Sequence, residues 1–311
     1  MVVETCLVLG AGGQVGQALH QCLRTAGQTV VALTRQDLDL RDFASVRQKV
    51  KDIKPRWVFN AAAYTSIDQA EKEPELAHAL NATLPAVLAE AALAVDAGLV
   101  HFSSDYVFNG QSQRPYLESD ATDPLSVYGR SKRDGDLAVL ASGARHWVFR
   151  SSWVVSSHGQ NFLKTMLRLA CERDQLRVVA DQHGVPTPAD WMADMVWQAV
   201  QLGESQGWGG LYHLSPSGQT HWHGYARFAL AQAEALGWPL KVAPDQVQAI
   251  ATADYPLPAV RPAYSLLNSE RLAQCLGLPW PDWQEGVTRV VGQLSAQRLG
   301  WPDTHHEQGA R

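Results

Sequence analysis

Tyr128 and Lys132 stand four residues apart in Tyr128-Gly129-Arg130-Ser131-Lys132, a spacing that puts a phenol and an ammonium on one face of a helix. A free phenol, with a pKa of about 10, is a weak acid–base group near neutrality. A cation beside it favours the phenolate and brings it toward a working range. That pairing suits a ketone whose carbon accepts hydride while its oxygen takes a proton. Ser104, a hydroxyl closing an apolar run, can hydrogen-bond the same oxygen. Tyr128, Lys132 and Ser104 are therefore the expected catalytic set, with Lys132 also holding the nicotinamide ribose. The Tyr-x-x-x-Lys spacing equally describes an ordinary surface pair, so the elements that position it must decide.

The first of those elements is a glycine turn, Gly10-Ala11-Gly12-Gly13-Gln14-Val15-Gly16, between an apolar run at 5–9 and a helical pattern at 14–26. Small residues there let the chain turn tightly, approach a pyrophosphate and pack helix on strand, while the helix start offers free N–H groups to the anion. Gly10, Gly12, Gly13, Gln14, Val15 and Gly16 are thus expected at a dinucleotide. At the end of the second strand Arg35 stands where a carboxylate would select NAD, and it suits a 2′-phosphate. Asp37 and Asp39 lie close by, so NADPH is the expected cofactor with NADH also usable. Asp39 and Leu40 are expected to flank the adenine, and Ala61, Ala62 and Ala63 to let the cofactor pass the third strand.

The pattern of strand, turn and helix repeats. Strands are expected at 5–9, 29–33, 57–60, 99–103 and 147–150, with helices at 14–26, 42–51, 75–95 and 126–140. Such alternation predicts an α/β fold: a Rossmann-type, doubly wound parallel sheet binding ligands beyond its carboxyl ends. After residue 152 the alternation weakens among many prolines, predicting a smaller C-terminal substrate-binding lobe. The expected division is a dinucleotide-binding domain at 1–152, a mainly substrate-binding lobe at 153–302 with segments returning to the first domain, and a flexible tail at 303–311. Tryptophans crowd the lobe at Trp191, Trp197, Trp208, Trp222, Trp238, Trp280, Trp283 and Trp301, as packing residues.

Composition narrows the function classes. In 311 residues, 46% are hydrophobic, enough for a proper core, and the net charge of −5 leaves no basic stripe for nucleic acid. Four scattered cysteines form no metal or redox motif, and no metal ligand is assigned. No run is expected to reach the roughly 20 apolar residues of a membrane span, and no leader is recognised, so a cytoplasmic protein with no membrane partner is expected. Asp190 reads as a helix N-cap.

Asn60-Ala61-Ala62-Ala63-Tyr64-Thr65, Ser103-Ser104-Asp105-Tyr106-Val107-Phe108, Val127-Tyr128-Gly129-Arg130-Ser131-Lys132, Arg150-Ser151-Ser152-Trp153-Val154 and Asn161 to Leu169 together resemble the dTDP-4-dehydrorhamnose reductases, a family of extended short-chain dehydrogenases/reductases. The resemblance implies NAD(P)H-dependent reduction of the C4 ketone of dTDP-4-dehydro-β-L-rhamnose, the last step to dTDP-L-rhamnose, on the route to lipopolysaccharide O-antigen. It implies a dTDP-sugar partner and is compatible with a homodimer. It places Thr65, Asp105, Tyr106 and Trp153 at the sugar, Trp153 offering a flat ring, and Asn161, Lys164 and Arg261 at the diphosphate. Departures are Ser104 for a frequent threonine, Val155 for a tyrosine, Tyr264 for an asparagine, and no carboxylate at Gln17 or Ala18, where some members bind magnesium at a dimer contact. Two other readings stay open: a reductase of another nucleotide-linked 4-keto-6-deoxy sugar, and a non-catalytic NADP-binding subunit like the β subunit of methionine adenosyltransferase.

Overall fold

The computed structural model describes residues 5–207 and 209–299; Trp208, Trp301 and the tail expected at 303–311 lie outside the described residues. Strands β1 (Thr5–Leu9), β2 (Thr29–Leu33), β3 (Trp57–Asn60), β4 (Gly98–Ser104), β5 (His146–Ser151) and β6 (Gly210–His213) form one sheet in the order β6-β5-β4-β3-β1-β2. Every neighbouring pair is parallel, which brings all the carboxyl ends to one edge. The doubly wound sheet expected from the sequence forms, with the first three strands at their expected limits.

Helices α1 (Gln14–Thr25), α2 (Phe43–Ile53), α3 (Pro74–Ala94) and α4 (Val127–Leu140) are the crossovers. Alternate strand residues serve opposite layers, as a two-residue period demands. Cys6 and Val8 pack with Leu19 and Leu23 of α1 and with Met192 and Val196 of α6 (Ala189–Gln206), which follows helix α5 (Phe162–Glu172). Leu7 and Leu9 pack on the other side with Val46 and Val50 of α2, Leu84 and Leu88 of α3 and Val139 of α4. Each such aliphatic side chain contributes about 1.5–3 kcal/mol when fully withdrawn from water.

Two details depart from the sequence reading. Helix α3 has 21 residues, with an 18-residue window of mean hydropathy 1.3, long and apolar enough by length and composition to cross a membrane, contrary to the expectation that no run approaches that length. Its apolar side chains instead meet the sheet, α2 and α4. Asp190 is not an N-cap: Pro188 holds that position in α6, and the Asp190 carboxylate pairs with Arg289 at 2.9 Å.

Beyond β5 a second core assembles from Val155, Leu163 and Leu167, Tyr225 and Leu230 of α7 (Trp222–Ala235), and Val287 and Val291 of the last helix. Val155 is buried in that core rather than facing a ligand.

Candidate active site

Helix α4 starts at Ser126, whose hydroxyl accepts from the Gly129 N–H at 3.1 Å. A Cβ on Gly129 would run into the Tyr106 carbonyl oxygen, so glycine lets the helix start press against the segment after β4. That approach brings the Tyr128 and Tyr106 rings edge to face, with centroids 5.6 Å apart. Ser104, the last residue of β4, donates to Asp105 at 2.9 Å and accepts from the Tyr106 N–H at 3.1 Å.

Burial pushes the half-buried Tyr128 phenol up to about 12; the Ser104 hydroxyl opposes the rise, while the Asp105 and Asp136 carboxylates add to it. Burial brings Lys132 down to about 8 against the pull of Asp136. The Lys132 ammonium is buried and donates to the Phe102 carbonyl in β4. The expectation that Lys132 draws the phenol down is therefore corrected for this state: the lysine is engaged by β4, and Ser104 is the group that favours the phenolate. Asp105 is pushed up to about 6 by burial, with the hydrogen bond from Ser104 holding it back.

At the other end of the sheet edge the glycine turn is a cradle. Gly10 has φ +74°, and a Cβ there would lie 2.7 Å from the Ala62 nitrogen. A Cβ on Gly16 would strike the Gly10 carbonyl oxygen. Gly13 is the N-cap of α1 with no side-chain cap, and Gly12 and Gly13 are exposed, so the helix start faces outward with its N–H groups open. These features fit a dinucleotide pyrophosphate. Val15 packs behind the turn, and Ala61 and Ala62 pack below it; Ala63 and Leu40 are half-buried. Asp37 is bound by the Thr34 N–H and hydroxyl at 2.8 and 2.7 Å, and Asp39 by Arg41 at 2.7–3.2 Å. Both carboxylates are thus occupied, and Arg35 is exposed with no ion pair among the described residues.

The sugar-side residues separate into two groups. Asp105, Tyr106 and Arg261 come together: Arg261 interacts with Tyr106 and is clamped to Asp68 at 2.7 and 3.1 Å, and Thr65 lies exposed three residues before Asp68. Trp153, Asn161 and Lys164 are engaged elsewhere. Trp153 has φ +44° and stacks on Trp222 with centroids 3.6 Å apart, while Gly184 lies so close to the indole that a Cβ there would sit 2.6 Å from it. The open flat ring expected at Trp153 is thus covered on one face. Asn161 is the N-cap of α5, accepting from the Lys164 N–H at 3.0 Å and donating to Gln14 and the Ser156 carbonyl, each at 2.8 Å. The Lys164 ammonium donates to the Ser157 and Gly159 carbonyls at 3.2 and 2.8 Å.

Some residues that shape this centre escaped the sequence reading. Asn81 sits in a π-helical turn of α3, bonding Tyr64 through both backbone groups at 2.8 and 3.0 Å and Ser131 at 3.0 Å, which ties the segment after β3 to α4. A lone asparagine inside an alanine-rich helix was the available signal. His101, Asp136 and Arg150 form a buried cluster beneath Lys132. Among the described residues no group of three or more His, Cys, Asp or Glu is placed to hold a metal ion. A cleft of about 910 Å³ runs along α1 past Cys22, Asp194, Trp197 and Val290 and includes none of the Tyr128 cluster.

Residues 4–296 match the family model described as RmlD substrate binding domain. The chain is 42% identical over 292 residues to a dTDP-4-dehydrorhamnose reductase of Escherichia coli K12, covering 93% of this chain and 97% of that one. It is also 42% identical over 296 residues to the Burkholderia thailandensis protein of that name, covering 94% and 99%. The crystal structure of a dTDP-4-dehydrorhamnose reductase from Bacillus anthracis in complex with NADP superposes with a TM-score of 0.86 at 33% identity, covering 93% of this chain and 99% of that one.

Proposed function

The chain belongs to the dTDP-4-dehydrorhamnose reductase family, and from that premise we propose that it reduces the C4 ketone of dTDP-4-dehydro-β-L-rhamnose to the alcohol of dTDP-β-L-rhamnose. The observation that carries this reading is the meeting of Ser104, Tyr128 and Lys132 at the strand ends, beside an uncapped, glycine-lined helix start.

The nicotinamide cofactor supplies hydride to the sugar's C4. The open N–H groups of α1 and the Gly10–Gly16 turn hold its pyrophosphate, and Ala61–Ala63 form the floor. Arg35, with Asp37 and Asp39 occupied, selects the 2′-phosphate of NADPH. Lys132 would hold the nicotinamide ribose hydroxyls, with its charge then beside the phenol. Ser104 hydrogen-bonds the ketone oxygen, and Tyr128 gives that oxygen its proton as the alkoxide develops. A phenol held near 12 stays protonated, as a donor must until hydride arrives.

Asp105, Tyr106, Thr65 and Arg261 line the sugar side. Asn161 and Lys164 belong to the scaffold, because their polar groups are consumed within the protein. The substrate lobe comprises the second core beyond β5, with α6 and β6 returned to the dinucleotide domain.

Steady-state assays with NADPH test the reading. The expected result is oxidation of NADPH by dTDP-4-dehydro-β-L-rhamnose at a kcat/KM at least tenfold above that for a dTDP-linked 4-keto-6-deoxy sugar of other ring stereochemistry. Preference for the second ketone would move the substrate assignment, and no turnover with either, with NADPH bound, would remove it.

A further inference from the structure

Four ionisable groups lie buried together below Tyr128: Lys132 and Asp136 one turn apart on α4, His101 on β4 and Arg150 on β5. Each is 4% exposed or less. The Asp136 carboxylate receives the Arg150 Nε–H at 2.9 Å on one oxygen and faces His101 Nε2 at 3.8 Å with the other. Asn60 Nδ2 lies 3.1 Å from His101 Nδ1 and donates to it, which leaves the imidazole proton on Nε2, toward Asp136. The Ser103 hydroxyl and the second Asp136 oxygen are buried without a hydrogen-bond partner. Arg150 is seated over the Phe108 ring at 5.3 Å, so its charge is held from both sides.

An ammonium and a guanidinium in one dry compartment need a counter-charge. His101 is kept neutral by burial, with the neighbouring Lys132 charge acting the same way. Lys132 donates to the Phe102 carbonyl and shares its compartment with Asp136 of its own helix and His101 of β4, while Arg150 of β5 bonds Asp136, and Asp105 beyond β4 acts with Asp136 on Tyr128. Of the two carboxylates, Asp105 is bonded to Ser104, on the reacting side. Asp136 is one helical turn behind the lysine and is held by Arg150 of β5.

We propose that Asp136 is a positioning residue for the reaction: held by Arg150 and facing His101, its carboxylate keeps the Lys132 ammonium charged and directed toward the cofactor ribose and Tyr128. The proposal deepens the function proposed above and rests on Lys132 acting there. Burial raises Asp136 while Arg150 and Lys132 pull it back, so the carboxylate and its two cations support one another. With Asp136 neutral, Lys132 would lose its proton at lower pH, and a neutral amine no longer favours a phenolate.

The test uses full-length protein carrying 13Cε-lysine, with the Lys132 signal assigned by its loss in Lys132→Arg and followed by NMR against pH. In Asp136→Asn the Lys132 midpoint should fall by about one pH unit, and the alkaline limb of kcat should move down with it while KM for the ketone changes less than threefold. Asp136→Glu should restore most of both. If Asp136→Asn does not fold, Asp136→Ser, which removes the carboxylate with a smaller neutral side chain, should move the midpoint the same way. An unchanged Lys132 midpoint in the folded variants overturns the proposal, as does a fall in kcat equal at every pH. Because the NMR midpoint needs no turnover, it is read even if the wild type fails to reduce the sugar, a result that would instead overturn the function.

Discussion

The glycine turn at 10–16 and the strap at 153–164 are neighbours, joined by Gln14, which donates to the Val154 carbonyl at 3.3 Å and accepts from Asn161 at 2.8 Å. Both are polar, loop-rich and set at the same edge of the sheet, yet they treat hydrogen-bonding capacity in opposite ways. The turn leaves the α1 start uncapped and exposed. In the strap, the Ser156, Asn161 and Lys164 side chains bond the strap's own backbone carbonyls, and Ser156 and Asn161 also bond Gln14. Buried or half-buried polar groups that find partners at home stabilise the fold, whereas capacity left open at a strand end is what a ligand can use. The same contrast divides the sugar-side residues. Asp105 is held in a costly environment beside Tyr128, and Asn161 is satisfied as a helix cap.

Ways of breaking that contrast can be ranked by size. Tyr128→Phe should lower kcat by about 10²- to 10⁴-fold with NADPH affinity unchanged, as read by steady-state kinetics and cofactor fluorescence. A comparable loss of NADPH binding would mean that the residue supports the cofactor instead. Next comes Asp105, whose folded-state pKa of about 6 exceeds the ordinary 3.8. Between those values the native protein holds a proton that the unfolded chain has released, so stability falls as pH rises through the window. Asp105→Asn should flatten that part of a denaturation-versus-pH curve; an unaltered slope would show that burial there is not costly. Arg35→Ala should raise KM for NADPH roughly tenfold and leave NADH within twofold, which bisubstrate kinetics would read. The smallest effect belongs to the strap. Asn161→Ala should cost about 1 kcal/mol of stability by chemical denaturation and change KM for the sugar less than twofold. A large KM increase without loss of stability would return Asn161 to the ligand.

Much of the framework was legible because its causes are local. Apolar runs stopped by Gly10 or by small residues gave β1, β2 and β3 their limits, and Ser126 announced α4. The glycine turn was readable for the same reason, since Gly10 and Gly16 answer to backbone approach within one strand–turn–helix unit. Trp153 was not: its left-handed backbone and its stacking partner depend on Gly184 and Trp222, thirty or more residues away in sequence. Asn81 was hidden in a stretch whose composition favours an uninterrupted helix, and its π-turn is explained by contacts to Tyr64 and Ser131. Asn161 is different. An asparagine just before Phe162-Leu163 is a helix-start signal in the sequence itself, and the structure shows Asn161 making that cap.

The central claim is that hydride reaches the C4 of a dTDP-linked ketone while Tyr128 protonates its oxygen. NADPH carrying deuterium as its transferable hydrogen, mixed with dTDP-4-dehydro-β-L-rhamnose and followed by mass spectrometry and NMR, tests it directly. The account predicts dTDP-rhamnose labelled at C4 with the wild type and no labelled product on the same time scale with Tyr128→Phe, although both bind NADPH. Labelled product formed equally fast by the two proteins, or none by the wild type, would contradict it.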